Sequence, residues 1–419
     1  MNDTIKKFDG YKQAAYVAFV TLLVGACFGS LSLLLPCVVE RLGVTYSEAG
    51  IPSTVETVVC FIAGLFAGKF LIKYQAKRCV LFCCIVAAAF VPVYAYAPSL
   101  MIINLYEVLL GIAMAVGYST GMNAFLSKWF ISKREVIVGY AQAFIGFGAA
   151  IGALVFGQLN ESYGLFVTTI VFSSTAIVAL VVYLFLIRGP EEVNQKPLGW
   201  EEAEKIASEE GASGTTEYGV GFAGAIKSVS FYLMLISCLL WGLSMILFPY
   251  FASVLQEGGM GALSSSRFQS FGQVCLAIFC IFIGNMTSKF GTKSYVLLSF
   301  GSCIVGVAAL GIWCNTGATI LVYVAAFFMG SGYCVGTTYG PMLTTKLFGT
   351  KEYEKIIPIV FGMRCIGLGF GILIVPVVAE KTGSWANGCW AALAMLVAGI
   401  ILGYIAVILS PLKKELKSN

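Results

Sequence analysis

Histidine is absent from this chain of 419 residues, which removes imidazole metal ligands and imidazole proton relays. Charge is scarce too: 11% of the residues are Asp, Glu, Lys or Arg, against about a quarter in a soluble domain. So few charges do not cover a water-facing exterior, so lipid faces most of it. The fourteen cysteines contain no CxxC pair, and those inside apolar runs, such as Cys60, Cys238, Cys303 and Cys365, read as small apolar packers. No GxxxxGK[ST] run occurs, which excludes an ATPase of its own. No nucleophile stands beside a base or a metal cluster, which argues against a membrane enzyme. No cofactor and no metal are expected. The net charge of +5 implies nothing about nucleic acid, because the position of each basic residue relative to the membrane is what counts.

Apolar residues are what the chain has instead, at 59%. Runs of about 20 residues, each long enough to cross the hydrocarbon core as a helix, recur at Ala14–Val38, Ala49–Lys69, Cys79–Ala97, Leu100–Leu126, Val136–Leu159 and Phe166–Ile187. Six more follow at Val229–Leu255, Ser265–Ser288, Ser294–Cys314, Thr319–Leu347, Ile356–Ala379 and Trp385–Ile408. The run Val24-Gly25-Ala26-Cys27 resembles a lipoprotein cleavage box, but the apolar segment continues to Cys37 and the first span is read as retained. This divides the chain into an N-terminal six-helix bundle (1–187), a polar linker (188–227) with a short amphipathic helix over Trp200 to Glu210, and a C-terminal six-helix bundle (228–419). The linker reads as solvated and without catalytic work. Basic residues gather on alternate connectors: Lys6, Lys7, Lys12; Lys69, Lys73, Lys77, Arg78; Lys128, Lys133, Arg134; Lys289, Lys293; Lys346, Lys351, Lys355; Lys413, Lys414, Lys417. The opposite connectors hold only Arg41, Arg267 and Lys381. The positive-inside bias puts both termini in the cytoplasm, with the chain a multi-pass protein of the cell membrane.

The stretch from Leu105 to Gly164 echoes in weaker form between Val324 and Gly383. Gly330 matches Gly111, Gly336 matches Gly117, Gly340 matches Gly121, Gly367 matches Gly148 and Gly371 matches Gly152. A long-period echo in an apolar chain indicates two related bundles. The expected fold is an all-α integral membrane protein, twelve transmembrane helices in two pseudo-symmetric six-helix bundles. Gly146-Phe147-Gly148-Ala149-Ala150-Ile151-Gly152 lies mid-span without the strand–turn–helix setting of a dinucleotide loop, so it reads as close helix packing.

The connector after the second span runs from Gly68 through Lys73 to Lys77, and its counterpart after the eighth from Gly284 through Lys289 to Lys293. A glycine followed at this spacing by two basic residues, in both halves, resembles the signature loop of the major facilitator superfamily. The resemblance covers nearly the whole chain and implies a transporter working by alternating access, with these residues in conformational gate loops. The aspartate usual before the first basic residue is replaced by Ile72 and Ser288, so any latch must rest on other contacts. Within that superfamily, the basic connector Lys128-Trp129-Phe130 to Lys133-Arg134 and the glycine-rich run after it are similar to the oxalate–formate and monocarboxylate carrier branch. That branch places a lysine in span eleven, where this chain has Arg364, and an arginine in span eight, where this chain has Cys280. The second departure argues against a dicarboxylate gripped at both ends.

Ionisable side chains inside the hydrocarbon are expensive and tend to be functional, and the spans contain Glu56, Glu107 and Arg364. Arg364 lies about 13 Å up its helix from Lys355 at 1.5 Å per residue, near the depth where this fold binds substrate. Its planar donors suit a carboxylate or phosphate; the alternative is a structural pairing with a buried glutamate or with backbone carbonyls. Glu56 and Glu107 both lie roughly 12 Å in from the outer ends of their spans. Low dielectric disfavours the charged form of a carboxyl, which suits a group that loads and unloads a coupling proton; relatives often carry arginine at the Glu107 position. The competing readings are a polar vestibule for Glu56 and a hydrogen bond to a neighbouring span for Glu107. Neutral candidates for the pocket are Tyr118, Gln142, Gln273 and Tyr333. Gln142 stands one turn before Ile145, the counterpart of Arg364, while the tyrosines also suit packing or an interfacial belt.

The leading expectation is a secondary active transporter of a small, monocarboxylate-like organic anion, a proton symporter or an anion exchanger. Its partners would be the substrate, protons or a counter-anion, and lipid; it would act as a monomer and bind no nucleic acid. The rivals are an exporter of drug-like or apolar metabolites and a non-transporting sensor that kept the fold. A channel fits poorly, because a repeated six-plus-six plan favours a gated site.

Overall fold

A computed structural model describes residues 8–130, 134–198, 219–289, 292–349 and 352–411. The amphipathic linker helix expected over Trp200 to Glu210 lies outside them. Among the described residues the chain is helical and forms no strand, only isolated bridges. The first half comprises α1 (Gly10–Gly29), α2 (Leu31–Leu42), α3 (Tyr46–Ala88), α4 (Phe90–Tyr96), α5 (Leu100–Ala113), a π-helical stretch Met114–Gly121, α6 (Met122–Trp129) and α7 (Arg134–Leu186). The second half comprises α8 (Phe222–Ile226), α9 (Val229–Met245), α10 (Phe251–Glu257), α11 (Ala262–Lys289), α12 (Thr292–Thr316), α13 (Thr319–Phe348), α14 (Tyr353–Thr382) and α15 (Trp385–Ile408). Among the described residues, seven stretches are long and apolar enough to cross a membrane, and shorter apolar helices accompany them. The twelve spans read from the sequence are consistent with this. Two of them run together in α3, broken at Gln75, and two in α7, broken at Gly164. Gly164 has φ 78°, a conformation open chiefly to glycine.

Prolines place the other breaks. Pro92 has no N–H for the carbonyl of Ala88, so the helix stops there and restarts as α4. Pro249 interrupts the seventh span between α9 and α10. Pro36, inside α2, frees the carbonyl of Ser32. That oxygen instead accepts a 2.6 Å bond from the Ser253 hydroxyl of α10 in the other half.

Small residues let the spans meet backbone to backbone. A Cβ at Gly148 or Gly152 of α7 would collide with the carbonyls of Leu22 and Ala26 in α1, and one at Gly25 with the carbonyl of Ile145. In the second half, Gly367 and Gly371 of α14 stand against the carbonyls of Leu239 and Leu243 in α9, and Gly242 against that of Arg364. The same crossing is built twice, with Arg364 taking in one copy the place of Ile145 in the other. The glycine echo in the sequence is therefore a packing repeat.

The halves meet along α3 with α14 and α7 with α11. Gly362 abuts Phe61, Gly50 abuts Ile372, Gly146 abuts Leu276 and Ala277, and Gly157 abuts Ser266. Among the described residues, the hydrogen bonds between the halves lie beside the central cavity or toward the end away from the termini. Ser47 donates from its N–H and hydroxyl to the Glu380 carboxylate at 2.9 and 2.8 Å. The Thr54 hydroxyl donates to the Gly369 carbonyl at 2.6 Å. At the opposite end the start of the linker docks on the first half: Lys77 pairs with Glu192 at 2.9 Å, Lys128 with Glu191 at 3.2 Å, and Trp129 Nε1 donates to the Arg188 carbonyl at 3.1 Å.

Candidate functional site

The broken helices leave a cavity of about 220 Å³ between the two halves. The break at Ala89 brings Phe90 and Tyr94 of α4 to it, and the break after Met245 brings Ile246, Pro249 and Tyr250. Ser53, Glu56 and Thr57 enter from α3, and Glu107 and Leu110 from α5. From the second half come Tyr333 of α13 and Leu368 and Ile372 of α14.

Two carboxyls therefore share one small chamber. Glu107 is 2% exposed. The Thr57 hydroxyl lies 3.2 Å from the Glu56 carboxylate and 2.8 Å from the Ser53 carbonyl. The Tyr250 hydroxyl reaches Ser53 Oγ across the two halves at 3.5 Å. The buried Tyr94 hydroxyl stands beside Glu107 and Ser53 without reaching hydrogen-bond geometry to either. Tyr333 is held by ring packing on Trp241 and Phe248, at 5.4 and 5.2 Å between centroids.

Arg364 is half-buried on α14, one helical turn before Leu368, and does not itself line the cavity. Its guanidinium carbon lies 4.9 Å from the ring centre of Phe361 and 5.8 Å from that of Trp241. Its Nε is buried without a hydrogen-bond partner, and among the described residues no carboxylate pairs with it. A structural pair with Glu56 or Glu107 is thus not formed. The Trp241 ring under the Arg364 guanidinium also packs on Tyr333, which lines the cavity with Glu56.

Of the residues singled out in the sequence, the structure brings Glu56, Glu107 and Tyr333 together and places Arg364 next to them. Tyr118 lies in the π-helical stretch, packed against the core, and does not reach the cavity. Gln273 is half-buried on α11 and also stays outside it. Gly68 falls on α3 and Gly284 on α11; Gln142 falls on α7, Lys289 on α11 and Lys293 on α12, with side chains outside the described structure. Lys73 is exposed beside the Tyr74 ring, 5.1 Å from its centre, and Lys77 holds Glu192. Ser53, Tyr94 and Tyr250 escaped the sequence reading; Pro92 and Pro249 were the signals that helix breaks would turn them inward.

The sequence profile of the Major Facilitator Superfamily matches residues 17–372. The chain belongs to this superfamily. Among curated proteins, none matches the sequence. Among solved structures, the nucleoside transporter NupG superposes with a TM-score of 0.71 at 12% identity, over 95% of this chain and 99% of that one. A D-xylose–proton symporter superposes with a TM-score of 0.70 at 14% identity, over 96% and 98%. At such identities the likeness is one of fold. This facilitator is accordingly a multi-pass membrane transporter and not an enzyme, with a small molecule as its substrate.

Proposed function

We propose that the protein is a secondary active transporter of a small organic anion, of the monocarboxylate kind, and that it works by alternating access in the cell membrane with both termini cytoplasmic. The observation that carries this reading is a guanidinium with no carboxylate partner among the described residues, with a buried Nε, one helical turn from a cavity shared by both halves. An arginine so placed offers two oxygens a planar grip. The similarity of the Lys128–Arg134 connector and of the Arg364 position to the oxalate–formate and monocarboxylate branch supports the same choice. Glu56 and Glu107 serve as the proton-loading groups of a symporter. The bodies that rock are residues 1–187 and 228–419, joined by 188–227. Opening the end away from the termini then requires breaking the Ser47–Glu380 and Thr54–Gly369 bonds.

Proteoliposomes test this directly. An inwardly directed proton gradient, acidic outside, should drive accumulation of a labelled monocarboxylate, and Glu56→Gln or Glu107→Gln should abolish the drive while leaving counterflow exchange. Uptake that ignores the gradient but needs internal anion would make the protein an exchanger. Anion binding that survives Arg364→Ala would favour the exporter with an apolar pocket, and binding without flux would favour the sensor.

A further inference from the structure

The cavity and its margin carry opposite charges on opposite halves. Glu56 and Glu107 belong to α3 and α5, and Arg364 to α14. Glu56 lines the cavity with Tyr333, and Arg364 stands over Trp241, the ring on which Tyr333 packs, yet the two are not paired. Opposite charges that face one region without meeting are stabilised by a ligand that places the complementary charge against each. A simple anion satisfies the guanidinium and adds repulsion with ionised carboxylates; a simple cation does the reverse. A molecule with a carboxylate at one end and an ammonium at the other satisfies both. The hydroxyls of Ser53, Thr57, Tyr94, Tyr250 and Tyr333 offer acceptors to the ammonium protons as well as donors to the carboxylate. The size of the chamber, about 220 Å³, falls below the roughly 300 Å³ at which pockets begin to take drug-sized ligands. We infer that the substrate is a small zwitterion, an amino-acid-like molecule whose carboxylate lies on Arg364 and whose ammonium group faces Glu56 and Glu107. The inference rests on the anion reading above and narrows it.

Matched probe trios distinguish the two. Each trio holds a zwitterion, the carboxylate left when its amine is removed, and the amine left when its carboxyl is removed: valine, isovalerate and isobutylamine; alanine, propionate and ethylamine; γ-aminobutyrate, butyrate and propylamine. Binding to the full-length protein in nanodiscs is read by calorimetry and by the shift in melting temperature. At least one zwitterion is expected to bind tenfold or more tightly than both of its fragments. Glu56→Gln should erase that advantage without weakening the carboxylate fragment, and Arg364→Gln should weaken both. A carboxylate that binds as well as its zwitterion overturns the inference and leaves the anion reading standing. If no member of any trio binds, the inference falls, and if no other organic anion binds either, the anion reading falls with it. The comparison within wild-type protein requires no variant to fold.

Discussion

The Ser253 hydroxyl answers a defect that Pro36 creates: a carbonyl at Ser32 with no helical partner, met across the two halves at 2.6 Å. Ser253→Ala leaves that buried oxygen unsatisfied, at a cost of about 1–3 kcal/mol. The melting temperature should fall. Arg364 is the second decisive single residue. If it binds an anionic substrate as proposed, replacing it with Ala removes a charge-assisted bond worth about 1.5–3 kcal/mol, and the affinity should drop about ten- to a hundredfold in calorimetry. Charged residues in an apolar chain announce themselves, which is why Glu56, Glu107 and Arg364 were legible. Tyr118 and Gln273 were not placed correctly, because the face a side chain takes on an apolar helix depends on packing that a single sequence does not state.

At the level of the helices, the repeated α1–α7 and α9–α14 crossings make a contrast between glycines. A Cβ on Gly152 meets the Ala26 carbonyl, whereas one on Gly64 of α3 meets nothing within 4 Å. Gly152→Ala must push α1 away and should destabilise the protein by about 1–3 kcal/mol. Gly64→Ala relieves the helical penalty of glycine and should stabilise it by up to about 1 kcal/mol. Thermal unfolding of the two variants should therefore move in opposite directions. The apolar spans were largely readable from hydropathy: among the described residues seven stretches are long and apolar enough to cross a membrane, consistent with the twelve expected. The cavity was not, because it depends on how the breaks at Ala89 and after Met245 turn Tyr94 and Tyr250 inward.

Across the whole molecule, the polar linker is more than a solvated tether. Its first turn, Pro190–Val193, presents Glu191 and Glu192 to Lys128 and Lys77, supplying acids beside a signature loop that lacks its own aspartate. Partial burial would raise the Glu192 carboxyl, but hydrogen bonds from Lys77 and the backbone, with the charges of Lys77 and Arg188, outweigh it and hold the group below its ordinary value. The pair therefore contributes fully above the ordinary carboxylate range and is lost as pH falls through the lowered value. The gap in melting temperature between wild type and Glu192→Gln should be constant from neutral pH to about 5 and close below about pH 4. It should also be small, as an exposed pair of this kind contributes little.

The acids sit on one half and the guanidinium on the other, so a ligand held by both would be a temporary rivet between the two bodies proposed to rock. Any tilt that lengthens the span between them loosens its own cargo. Grip and release are then one event, driven by geometry, and a ligand too short to bridge the gap would ride through the cycle unfelt.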